Sequence, residues 1–301
     1  MHKLITILGP TAVGKTFLAA QLAYKFNGEI ISADSRQVYK KLNIGTGKDY
    51  SDYIVNGTHI KYHLIDIIDP SEEYSLFKFQ EDFYKTFEDI NSRKKLPFLV
   101  GGTGLYLSCI IQEYKLNKAD FKTNYAEELE QLSLKELQKK LLELNPSLHN
   151  TTDLLSKERA IRRIIVLMEK ENGKEHNFPK LKHLIIGVIA DRGMVIKRIE
   201  TRLKERLQNG MIEEIKSLLD KGYSPERLIS LGLEYKFLTQ YALGELNYND
   251  MHQKLRSAIV AFSKRQMGWY HKMERMGVKI NWIHKGDIYK AEELISEFLY
   301  E

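Results

Sequence analysis

With 301 residues, 43% hydrophobic and 29% charged, the chain can bury a sizeable core, and neither a disordered nor a fibrous protein fits that composition. Cys109 is the only cysteine, which excludes an intramolecular disulfide and a cysteine-built metal site. A formal net charge of +6 admits a polyanionic partner without requiring one, and no apolar run approaches the roughly 18 residues that span a bilayer, so a soluble protein is expected.

An apolar run at 4–8 leads straight into Gly9-Pro10-Thr11-Ala12-Val13-Gly14-Lys15-Thr16, a G-x-x-x-x-G-K-T pattern, and then into an amphipathic stretch from Phe17. Strand, phosphate loop, helix is the order this motif needs. Gly9 and Gly14 permit a turn tight enough for successive N–H groups to converge on one anion. The helix beginning near Lys15 adds its positive dipole end. Lys15 supplies a point charge to the phosphates, and the Thr16 hydroxyl suits a magnesium ion, Mg2+. A chance glycine-rich turn would need neither flanking element. The pattern therefore predicts a di- or triphosphate ligand, and its start at Gly9 predicts a cytoplasmic protein without a leader peptide.

A second strand is expected at 29–32, ending in Ala33-Asp34-Ser35-Arg36-Gln37-Val38-Tyr39. In phosphate-loop folds the loop after such a strand lies over the site, at the carboxyl ends of the sheet. Asp34 is then placed for a general base or a metal carboxylate; equally, Asp and Ser favour turns and helix caps. Spacing alone leaves both open. The stretch 63–70 reads as a buried strand or turn closed by Pro70, and neither Asp66 nor Asp69 ends a clean apolar strand as a Walker-B acid would. Phe79, Phe83, Phe87 and Ile90 recur at helical spacing and mark a core-facing helix. A strand at 96–100 then runs into Gly101-Gly102-Thr103-Gly104 with no acid at its end. There Thr103 offers the only side-chain hydroxyl, although a tight strand-to-helix turn accounts for the glycines as well.

From about Gln112 the composition turns to Leu, Lys and Glu. Ser133-Leu134-Lys135-Glu136 resembles a capping box opening a helix, and a second helix is expected at 157–170, bearing Arg159, Arg162 and Arg163. A strand at 184–189 returns to the sheet, and the remainder reads as helical. The expected architecture is α/β: a phosphate-loop core on a parallel sheet, residues 1–111 and 179–301, interrupted by a helical insertion, 112–178. One helix of the second half carries Lys197, Arg198, Arg202, Lys204 and Arg206 opposite its apolar face. Segment 254–285 has eight basic residues against one acid, Glu274, with Trp269, Tyr270 and Trp282 among them. Such a run is either a solvated face or a surface where cations neutralise phosphates and rings stack on bases.

Together these motifs resemble the tRNA dimethylallyltransferases (tRNA isopentenyltransferases) of bacterial type. The resemblance rests on the phosphate loop, on Asp34-Ser35-Arg36-Gln37-Val38-Tyr39, on Leu99-Val100-Gly101-Gly102-Thr103-Gly104-Leu105-Tyr106, and on Asp191-Arg192, Arg198-Ile199 and Ser263-Lys264-Arg265-Gln266 in that order. It runs from the first strand to about Trp282. The family moves a dimethylallyl group from its diphosphate to the exocyclic amine of the adenosine 3′ of the anticodon. The resemblance implies that residues 9–16 and Arg198 bind the diphosphate, with Mg2+ helped by Thr16, and that Lys15 steadies the leaving group. It makes Asp34 the general base and sets Thr103 against the target nucleotide. Asp34, Ser35, Arg36, Gln37, Arg159, Arg162, Lys264, Arg265 and Gln266 would face tRNA. The implied partners are the anticodon stem-loop and dimethylallyl diphosphate, with no membrane and a monomeric chain.

The sequence departs from the family's pattern at Ser156, Glu234, Ile259, Val260 and Gly268, all in the RNA-facing half. Two other readings stay open. An ATP-dependent kinase of a nucleotide or small metabolite would turn over ATP, and a diverged paralogue would bind RNA with little catalysis.

Overall fold

The computed structural model describes residues 2–116, 118, 121, 123–146, 151–169 and 178–301. Its backbone divides into two compact units, Met1–Glu113 with Pro179–Glu301, and Tyr114–Phe178.

In the first unit, β1 (His2–Leu8) is buried on both faces from Leu4 onward, as a central parallel strand must be. Around it lie β2 (Gly28–Ala33), β5 (Tyr62–His63), β6 (Leu96–Gly101), β7 (Leu181–Ile189) and β8 (Asn281–His284). All pair in parallel, in the order β5-β2-β6-β1-β7-β8. The chain crosses from β1 over β6 to β2 and only later adds β7 on the other side. The carboxyl end of β1, with Leu8 between Gly101 and Gly187, thus opens where the winding changes direction, the usual place for a ligand. A small antiparallel hairpin, β3 (Ile54–Val55) and β4 (Thr58–His59), stands apart.

Helices α1 (Lys15–Lys25), α2 (Leu76–Ser92) and α3 (Gly104–Ile111) follow the first strands. The aromatic stripe of α2 is core: Phe79, Phe83, Phe87 and Ile90 are fully buried, and the Phe79 ring stacks on Tyr106 at 3.9 Å. Each such side chain contributes roughly 1.5–3 kcal/mol. The Ser75 hydroxyl caps α2 by accepting the Lys78 N–H.

After β7 come α7 (Arg192–Gln208), α8 (Met211–Asp220), α9 (Pro225–Ser230), α10 (Leu233–Ala242), α11 (Tyr248–Arg275) and, beyond β8, α12 (Ile288–Tyr300). Strand β8 corrects the expectation that the chain after β7 is helical throughout. Four residues are too few to print a period, and their partner is what defines them. Gly187 on β7 leaves the space that the Trp282 ring of β8 fills, and a Cβ there would collide with the indole.

The second unit holds α4 (Asn124–Gln131), α5 (Leu134–Leu144) and α6 (Lys157–Glu169) around Leu129, Leu137, Leu141, Ile164 and Ile165. The capping box forms: Glu136 accepts the Ser133 N–H at 2.7 Å while Ser133 Oγ accepts the Glu136 N–H at 3.4 Å. Lys170, the expected end of α6, lies outside the described residues.

Candidate active site

The phosphate loop turns where the sequence lacks side chains. A Cβ on Gly9 would strike the Val188 carbonyl of the neighbouring strand, and Gly14 takes φ +83 as the N-cap of α1. Gly14 has no side chain to cap the helix, and an uncapped helix start of this kind suits an anion. Lys15 Nζ folds back to donate to the Pro10 carbonyl at 2.7 Å. Burial and the neighbouring Arg202 push its pKa down to about 8, with Asp34 opposing.

Lys15 and Thr16 line a cavity of about 720 Å³, which also receives Thr11, Asp34, Gln37, Gly101, Gly102, Arg198 and Gln266. Gly9, Pro10 and Val13 of the loop are buried and do not line it. Helix α7 supplies more charge than the sequence reading selected. Arg198, Arg202 and Arg206 repeat every four residues, so one face of α7 lines the cavity with all three, together with Lys197. Arg202 donates to Thr11 Oγ1 at 2.7 Å, and burial pushes its guanidinium down to about 10. Arg206 covers Gly47 and reaches Asp49 at 3.3 Å. Arg198 Nη1 is buried and meets no hydrogen-bond partner among the described residues. The spacing of Arg198, Arg202 and Arg206 was visible in the sequence. Their use was not, because it depends on loops more than 150 residues away.

Asp34 leaves β2 at the same end of the sheet, and both of its open readings have a structural counterpart. Its Oδ1 accepts the N–H groups of Arg36 at 2.8 Å and Gln37 at 3.3 Å, an Asx-type turn. Its carboxylate also lines the cavity opposite Lys15, and Oδ2 receives no hydrogen bond among the described residues. The loop is held from beneath by Thr103, whose hydroxyl accepts the Ser35 N–H at 3.0 Å. Gln37 braces the cavity's far wall by donating to the Gly47 carbonyl at 3.1 Å. Ser35, Arg36 and Thr103 do not line the cavity. Arg36 is half-buried, and burial lowers its pKa.

Strand β6 ends at Gly101 and is followed by Gly102, with no carboxylate where a Walker-B acid would stand. Asp66 is occupied elsewhere, accepting from Lys48 Nζ at 2.5 Å and from Tyr50; Asp69 pairs with Lys41 at 3.0 Å and with Tyr223. Among the described residues no group of three or more His, Cys, Asp or Glu side chains is arranged to hold a metal ion.

Helix α11 divides the predicted Lys264-Arg265-Gln266 triplet. Gln266 is buried and reaches the phosphate loop, whereas Lys264 and Arg265 are exposed and off the cavity wall, with Arg265 lying over the Phe262 ring at 6.0 Å. The aromatics of this segment are engaged: Tyr270 is buried, and Trp282 Nε1 donates to Glu274 at 2.7 Å. In the second unit Arg159 is exposed on α6, while Arg162 reaches Glu158 at 3.4 Å and lies over Phe121.

Residues 37–273 match a family model described as IPP transferase. A protein of Phocaeicola vulgatus named tRNA dimethylallyltransferase 2 is 48% identical, over 94% of this chain and 92% of its own. The tRNA dimethylallyltransferase 1 of Azobacteroides pseudotrichonymphae is 47% identical, over 97% and 95%. The solved full-length tRNA isopentenylpyrophosphate transferase of Bacillus halodurans has a TM-score of 0.69 at 30% identity, covering 100% of this chain and 95% of that one. A eukaryotic dimethylallyltransferase solved acting on tRNA has a TM-score of 0.77 at 25% identity, covering 99% and 78%. With its parallel sheet, its phosphate loop and this degree of similarity along nearly its whole length, the chain belongs to the IPP transferase family, that of the tRNA dimethylallyltransferases.

Proposed function

We propose that the protein transfers the dimethylallyl group of dimethylallyl diphosphate to the exocyclic N6 amine of the adenosine 3′ of the anticodon in tRNA. The observation that carries this reading is one cavity holding a phosphate loop, a row of arginines and a carboxylate with one open oxygen. The phosphate loop's first-turn N–H groups, Lys15, Arg198 and Arg202 take the diphosphate. Its charge opposes the burial that depresses Lys15, so a bound donor favours the ammonium. The N6 amine attacks the allylic carbon, the carbon–oxygen bond breaks, and its electron pair leaves on the diphosphate. Asp34 Oδ2 accepts the amine proton while Oδ1 stays fixed to the Arg36 and Gln37 N–H groups. The cations then face the charge that grows on the leaving oxygens. Thr16 would hold Mg2+ together with the diphosphate's own oxygens, and the ion would supply further neutralisation there. That donor set fits a metal brought by the substrate, which needs few protein ligands.

The missing acid after β6 supports a diphosphate over ATP, since no γ-phosphate has to be cleaved. Arg159 and Arg162 of the helical insertion, with Lys264 and Arg265 of α11, are proposed to contact the anticodon stem-loop, and the chain to act as a monomer. The test is incubation with labelled dimethylallyl diphosphate and total tRNA from a strain lacking the modification. Label is expected in tRNA without added ATP and not after Mg2+ is chelated. Stoichiometric ATP consumption would contradict the reading and favour a kinase.

A further inference from the structure

Two side chains of α11 reach across the carboxyl end of the sheet and bind only backbone. Gln266 is 4% exposed; its Oε1 accepts the Thr11 N–H at 2.8 Å and its Nε2 donates to the Gly102 carbonyl at 2.8 Å. The partners dictate this orientation, because an N–H can only donate and a carbonyl can only accept. One turn further on, the fully buried Tyr270 donates its hydroxyl to the Gly9 carbonyl at 2.9 Å, with the Gly102 carbonyl at 3.4 Å. Glycine at 102 is what admits the amide, since a Cβ there would overlap Gln266 Nε2.

Both ends of this bridge continue. On the donor side Thr11, whose N–H is held by Gln266, has its hydroxyl held by Arg202 at 2.7 Å. On the acceptor side the residue after Gly102 is Thr103, whose hydroxyl holds the Ser35 N–H at 3.0 Å, next to Asp34. An unbroken series of bonds therefore joins the phosphate loop to the Asp34 loop, and Gln266 is its middle member.

We infer that Gln266, assisted by Tyr270, is a positioning residue that sets the phosphate loop and the Asp34 loop at the separation the transfer needs, rather than a residue that reads RNA. The inference rests on the transfer reading above. In-line attack tolerates little error, and a displacement of about 1 Å costs on the order of 10²-fold in rate. The Thr11 N–H, already engaged by Gln266, is also withdrawn from the anion. Donor binding therefore falls to Lys15, the arginines and the other loop amides.

The experiment compares Gln266→Met, Gln266→Glu and Tyr270→Phe with wild type in single-turnover prenylation at saturating donor and tRNA, alongside tRNA binding and melting curves. Gln266→Met is expected to lower the single-turnover rate by on the order of 10²-fold, with tRNA Kd within about twofold of wild type. Tyr270→Phe, which removes one hydroxyl and keeps the ring, is expected to lower it less, with a modest drop in melting temperature from the buried carbonyl it leaves unpaired. Gln266→Glu supplies the distinctive readout. Its ionised form accepts from Thr11 but sets a second acceptor against the Gly102 carbonyl, whereas its protonated form restores both bonds. Its rate relative to wild type should rise as pH is lowered. A raised tRNA Kd with a normal saturated rate would overturn the inference, as would wild-type rates in the Met and Phe variants. Were wild type itself to transfer no label, the transfer reading would fall and this inference with it; variants that match an active wild type overturn the inference alone.

Discussion

At the scale of single residues, the proposed mechanism turns on the two oxygens of Asp34. Oδ1 holds the turn through Arg36 and Gln37, while Oδ2 receives no hydrogen bond among the described residues and the side chain lines the cavity. Replacement by Asn keeps an acceptor for the turn but cannot take a proton, so Asp34→Asn should melt like wild type and lose on the order of 10²–10⁴-fold in turnover. Asp34→Ala should lose as much activity and about 1 kcal/mol of stability besides, because the two N–H groups lose their partner. Melting curves and single-turnover rates on the pair decide it, and an Asn variant with normal turnover would leave Asp34 a turn residue only. Lys15→Ala should weaken donor binding as well as slow transfer, measured as a rise in KM with a fall in kcat, because one charge serves both bound donor and leaving group.

Among the elements, legibility followed the distance over which each feature is determined. The phosphate loop could be read because Gly9, Gly14, Lys15 and Thr16 make their turn and helix start locally. The α2 stripe and the Ser133–Glu136 box could be read for the same reason. Strand β8 could not, since Asn281–His284 becomes a strand only against Gly187, nor could the role of α11, whose Gln266 meets Thr11 across 255 residues. Arg202 is intermediate: its spacing from Arg198 was plain, but Thr11, 191 residues away, selects it. The sheet's edge offers a separate check on the fold. Glu29 of β2 is buried, and burial alone would raise its carboxyl. Hydrogen bonds from Arg93 of the α2 C-cap and His63 of β5 outweigh that and hold its pKa below the usual 4.5. A carboxyl depressed in the folded state stabilises above its unfolded pKa and loses that contribution as pH falls through the folded one. The gap in melting temperature between wild type and Glu29→Gln should therefore be widest above about pH 4.5 and close as the medium is acidified below it. A gap independent of pH would mean that the charge on Glu29 does not matter.

For the molecule as a whole, net charge, the α6 arginines and the exposed cations of α11 make RNA binding an electrostatic question. Affinity for tRNA should fall steeply as salt rises, and Arg159→Ala and Arg162→Ala should each weaken binding and flatten the slope by roughly one phosphate contact, with donor binding unchanged. Unaltered slopes in both variants would make these arginines structural. The site of prenylation on tRNA decides whether the protein is a dimethylallyltransferase of this specificity. After reaction with dimethylallyl diphosphate, unmodified tRNA would be digested to oligonucleotides and analysed by mass spectrometry. One prenylated adenosine is expected, immediately 3′ of the anticodon, carrying the group on N6. Prenylation at scattered sites, or none in the presence of donor and Mg2+, would contradict that expectation.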